Sequence, residues 1–83
     1  MIQQAIQTAI QKQNLSFTMT KEGMDEIMSG KATNAQIASF LTALRMKGET
    51  PEEITACAMA MRDMGARLRH DFTLAEIVGT GGD

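Results

Sequence analysis

Four stretches of this sequence repeat their apolar residues every three or four positions, whereas only one run, Glu76-Ile77-Val78, has the pattern of a β-strand. That imbalance fixes the fold class. A strand of three or four residues leaves its backbone N–H and C=O groups unpaired unless a second strand lies beside it, and the sequence offers none. The core must come from helix packed on helix. The expected fold is therefore all-α, a four-helix domain over residues 1–69 with one short unpaired strand after it. Residues 70–83 read as a linker, that strand and a glycine-rich loop, and the missing partner strand implies that the 83 residues are not a complete fold.

Start and stop signals place the helices. The first is expected from Ile2 to about Gln13, with Ile2, Ala5, Ile6, Ala9 and Ile10 on one face and Asn14 as a left-handed stop. Ser16 is a candidate N-cap for the second, which runs to near Ser29 with Gly30 as its stop; Thr20 is an alternative start. Met24, Ile27 and Met28 form its buried edge, and Gly23 weakens its middle. Thr33-Asn34-Ala35-Gln36 is a capping box for the third helix, and Ile37, Phe40, Leu41 and Leu44 give it a core-facing stripe. Ala35, Ala38, Ala43 and Met46 widen that stripe, so this helix is expected to be central or buried on two sides, with Gly48 ending it.

Thr50-Pro51-Glu52-Glu53 is the clearest start in the chain: Thr caps, Pro takes the first helical position, and Glu53 closes the box. Ile54, Cys57, Ala58, Met61 and Leu68 are the expected inward face of the fourth helix, with Asp63 and Arg67 paired outside.

Composition removes several classes of function. Eight basic and ten acidic side chains give a net charge of -2, which provides no electrostatic footprint for nucleic acid or an anionic membrane. Cys57 stands alone, so a disulfide framework is excluded, and no apolar run approaches the roughly 18 residues of a membrane helix. A reducing cytoplasm is the default location.

One arrangement carries chemical meaning: a strand-like run followed at once by Gly79-Thr80-Gly81-Gly82-Asp83. Glycines let backbone N–H groups approach an anion closely, as phosphate-cradling loops do. Thr80 could donate to a phosphate oxygen, and Asp83 could accept from a ribose hydroxyl, orient loop amides or approach a metal through water. Alone, the pentapeptide matches neither the P-loop nor the dinucleotide fingerprint, and a plain turn is the commoner outcome.

The segment Ile27-Met28-Ser29-Gly30-Lys31-Ala32-Thr33, continued by Ala35 to Thr50, closely resembles the anthranilate phosphoribosyltransferase family. Glu52-Glu53-Ile54 and Ala58-Met59-Ala60-Met61-Arg62 extend the likeness, and Gly79 to Asp83 resembles that family's diphosphate loop. The resemblance implies a longer parent with a small helical domain and a large α/β domain, of which residues 70–83 would be the truncated beginning. It implies transfer of a phosphoribosyl group from phosphoribosyl diphosphate to anthranilate in tryptophan biosynthesis. It places Gly79, Thr80, Gly81, Gly82 and Asp83 against the substrates, and a homodimer through the helical domain. The family's Mg²⁺ ligands have no counterpart here, so the isolated chain is expected to be inactive, without a cofactor of its own. No residue of the chain is assigned a catalytic or metal-binding role.

Two other readings stay open. One is a free-standing helical interaction module without catalysis; the other is a fragment of a pyrimidine nucleoside phosphorylase, whose loop follows a Lys- and Ser-bearing pattern instead. Elsewhere the bland reading is preferred. His70 is a solvated surface residue, Cys57 a small buried hydrophobe, and Glu49, Glu52 and Glu53 are helix-start electrostatics. Met24, Met28, Met46, Met59, Met61 and Met64 are spaced like core residues, more than so small a core needs.

Overall fold

A computed structural model describes the backbone of residues 1–77 and the side chains of residues 1–70. Four helices follow one another: α1 (Ile2–Ile10), α2 (Phe17–Met28), α3 (Asn34–Lys47) and α4 (Pro51–Ile77). The local start signals work as their chemistry requires. The Ser16 hydroxyl accepts from Met19 N–H at 3.1 Å, so α2 starts at the earlier of its two possible positions. Thr33 and Gln36 exchange both capping-box bonds, at 3.0 and 3.1 Å, and Thr50 and Glu53 do the same at 2.9 and 3.1 Å.

The stops divide. Gly30 and Gly48 take positive φ, 77° and 90°, as their positions suggest. In α1 the left-handed residue is Lys12 (φ 64°), not Asn14. Lys12 N–H reaches Ala9 C=O at 2.9 Å and Gln13 N–H reaches Thr8 C=O at 3.1 Å, the paired closure of a Schellman motif. Gly30 and Lys31 close α2 identically on Ile27 and Glu26, at 3.1 and 2.9 Å. Backbone closure set where α1 ends, and a lysine bears the strain that a glycine would avoid.

The core centres on Phe40, fully buried among Ile2, Ala5, Ala9, Leu15, Met24, Ala43, Leu44 and Ala60. Gly23 explains itself here. A Cβ at that position would stand 3.3 Å from the Phe40 ring and 3.7 Å from Ala5 Cβ. The glycine that weakens α2 locally is what lets Phe40 pack against it.

Three expectations about helix faces are corrected. First, α3 is not central: it packs chiefly on α1, while α2 lies between α1 and α4. Leu41 is consequently half-exposed and Met46 is 78% exposed. Second, Ile10, expected on the inward face of α1, points to solvent. Third, α4 turns Glu53, Ala56 and Ala60 inward, with Cys57 and Met64 half-buried, and leaves Ile54, Ala58, Met61 and Leu68 outside. Asp63 lies 3.2 Å from Lys21 of α2, so its carboxylate joins two helices.

The strand is also corrected. The described residues hold four helices and no strand, and Glu76 and Ile77 form the last turn of α4. Without a neighbouring strand, the i→i−4 bonds of a continuing helix satisfy backbone groups that an isolated strand would leave open. At 27 residues α4 is about 40 Å long at 1.5 Å per residue, and it sets the long dimension of the 50 × 24 × 19 Å molecule. The radius of gyration, 15.2 Å, exceeds the roughly 12 Å of a compact chain this size because α4 overhangs the bundle. Every side chain from Ala66 to His70 is exposed.

Candidate functional site

Gly79, Thr80, Gly81, Gly82 and Asp83 all lie outside the described residues, as does Val78 of the expected strand. The described chain reaches Ile77, the last residue of α4 and two positions before Gly79. His70, expected in a linker, is an exposed residue of α4 instead.

Within the described residues the densest polar chemistry is the junction of the α1–α2 and α3–α4 connections. Glu53 Oε2 accepts from Leu15 N–H at 2.6 Å, and Oε1 accepts from Thr50 N–H at 2.9 Å and from Lys47 Nζ at 2.8 Å. Lys47 Nζ also donates to Gly48 C=O at 2.7 Å and to Asn14 Oδ1 at 3.2 Å. Both side chains are almost wholly buried, at 2% and 0% exposure. Burial pushes the Glu53 carboxyl up, but the hydrogen bonds from Lys47, Thr50 and Leu15 outweigh it and hold the group below the usual carboxylate range. The capping box predicted only the Thr50 half of this network. Two of its other bonds join residues 38 and 33 positions apart, and no local pattern signals them.

A second carboxylate plays a similar part: Glu26 of α2 accepts from Ile2 N–H at 2.6 Å and so satisfies the open start of α1. On the surface Lys21 bridges Asp25 at 3.0 Å and Asp63 at 3.2 Å. Those hydrogen bonds, donated first to Asp25 and then to Asp63, raise its pKa.

Cys57 behaves as a small hydrophobe. Burial pushes its thiol up, and the negative charges of Glu53 and Glu49 add to this, which disfavours the nucleophilic thiolate. Among the described residues no group of three His, Cys, Asp or Glu side chains converges as a metal site. No described helix is long and apolar enough to cross a membrane. Of the methionines, Met24 is core, Met28, Met59 and Met64 are half-buried, and Met46 and Met61 are exposed. Met46 lines an apolar groove of about 300 Å³ between α1 and α3, with Ala9, Ile10, Thr42 and Ala43.

Residues 3–65 match the family model described as glycosyl transferase family, helical bundle domain. The chain is 58% identical, over all 83 residues, to the anthranilate phosphoribosyltransferases of Endomicrobium trichonymphae and Ruminiclostridium cellulolyticum. It is 55% identical to that of Lachnoclostridium phytofermentans. Each alignment takes in the whole chain, which spans about a quarter of those relatives' length (25%, 24% and 25%). No solved structure matches it. With four helices where the family model places its bundle, the chain belongs to the glycosyl transferase family as its helical bundle domain.

Proposed function

We propose that this chain supplies the helical part of an anthranilate phosphoribosyltransferase, which moves the phosphoribosyl group of phosphoribosyl diphosphate onto the amino group of anthranilate in tryptophan biosynthesis. The observation that carries this reading is the 58% identity over the whole chain to proteins of that name, the Gly79 to Asp83 segment included. The substrate contacts of the chain are assigned to that segment. Backbone amides of Gly79, Gly81 and Gly82 suit the diphosphate, the Thr80 hydroxyl adds a donor, and Asp83 serves a ribose hydroxyl or orients the loop. Such a reaction is driven by positioning and by stabilising the leaving diphosphate.

Mg²⁺ is assigned to the parent enzyme, with its ligands outside this chain. The isolated 83 residues are read as inactive. A homodimer through the bundle is supported by the apolar side chains that α3 and α4 leave outside: Leu41, Met46, Ile54, Met61 and Leu68. Sedimentation of the chain as a clean monomer at high micromolar concentration contradicts the dimer. A cytoplasmic location fits a chain with one unpaired cysteine.

Genetic complementation tests the functional reading. A reading frame containing this sequence restores growth without tryptophan to a bacterial strain lacking anthranilate phosphoribosyltransferase. Failure to do so, with the protein demonstrably expressed and folded, contradicts it.

A further inference from the structure

Glu53 is the one buried acidic side chain among the described residues, and the chemistry proposed above does not use it. Its two oxygens are met by three donors. Leu15 N–H faces Oε2, while Thr50 N–H and the Lys47 ammonium face Oε1. The acceptors nearest to hand, Gly48 C=O and Asn14 Oδ1, are held by Lys47. Oε1 already accepts two hydrogen bonds and Oε2 one, so an added proton finds no acceptor among these partners, and the ammonium loses the anion that offsets its burial.

The neighbouring groups do not compensate. α3 contributes Lys47 itself, the α3–α4 turn contributes Glu49, and α4 contributes Cys57, whose thiol is disfavoured from ionising. The α1–α2 loop presents the neutral Asn14, and Lys12 lies on the groove that Lys47 also lines. Glu49 is exposed, outside the buried pair that Lys47 and Glu53 form.

We propose that Lys47 and Glu53 form an acid-released clasp: while the carboxylate is charged it pins the α1–α2 loop to the α3–α4 turn, and protonation of Glu53 lets the two connections part. The clasp belongs to the fold and is independent of the proposed enzyme activity.

The test is amide NMR of the 83-residue chain from neutral to acid pH. The Leu15 and Thr50 amide signals should titrate together, and Leu15 exchange protection should fall about tenfold or more across that transition. E53Q should lack the protection at neutral pH, because one end of its amide must direct donors at donors. The double variant K47M/E53M, with apolar groups of similar size, should show no helix loss by circular dichroism in that pH range. Leu15 protection that survives Glu53 protonation, or a double variant that loses helix at the same pH as the parent, overturns the proposal. Should either variant fail to fold, the titration of the unaltered chain decides.

Discussion

The two halves of α4 share one helix and almost nothing else. From Pro51 to Gly65 the helix is held by a buried ion pair, by Ala56 and Ala60 against the core, and by the Lys21–Asp63 contact. From Ala66 to His70 every side chain faces solvent. The first half is helical because tertiary contacts require it; the stretch from Ala66 to His70 buries no side chain and leans more on local propensity, which is weak support in water. Glycine shows the same contrast. Gly23 sits where a methyl group would press on Phe40 at 3.3 Å, whereas a methyl group on Gly65 meets only the flexible Arg69 side chain at 3.5 Å.

Mutations in the packed region should cost most. Phe40→Ala empties the centre of the core and should cost about 3–5 kcal/mol. A domain of this length is expected to have a total stability of about 4–12 kcal/mol, so urea denaturation should show that variant close to unfolding. Gly23→Val should cost about 1–3 kcal/mol by overpacking against Phe40, read as a lower urea midpoint. Gly65→Ala should act in the opposite direction, adding about 0.5–1 kcal/mol through helix propensity alone. If the two glycine changes had the same sign, the contrast between the halves would be broken. Lys12→Gly should raise the thermal midpoint, with a gain of up to about 1 kcal/mol from relief of its positive φ. The smallest effect belongs to Leu68→Ala, within about 0.5 kcal/mol in the monomer.

The pH dependence follows from Glu53. Its pKa is depressed in the folded chain, so its stabilisation is present above the unfolded carboxylate value near 4.3 and lost as pH falls through the lower folded value. Denaturant midpoints should therefore be flat near neutrality and decline in acid. E53Q should lack that component of the decline.

What the sequence made legible was local. Ser16, Thr33 and Thr50 could be read as helix starts, and Gly30 and Gly48 as stops, because each acts within four residues. The orientation of α4 could not be read. Its outer stripe of Ile54, Met61 and Leu68 is more apolar than the inward set of Glu53, Ala56 and Ala60. Periodicity follows the larger hydrophobes, whereas the fold follows close approach to α2 and the need to bring Glu53 to Leu15 N–H and Lys47. The strand reading of Glu76-Ile77-Val78 rested on side-chain preference and could not register that a helix was already running into it. The glycine loop, read as a motif with chemical potential, lies outside the described residues, and its assignment to substrate came from resemblance.

Anthranilate fluorescence tests the central claim most directly. The intact polypeptide containing this sequence, supplied with anthranilate, phosphoribosyl diphosphate and Mg²⁺, should consume the fluorophore, while the 83-residue chain alone should not. Fluorescence that stays constant with the intact, folded polypeptide, or falls with the isolated chain, would contradict the account.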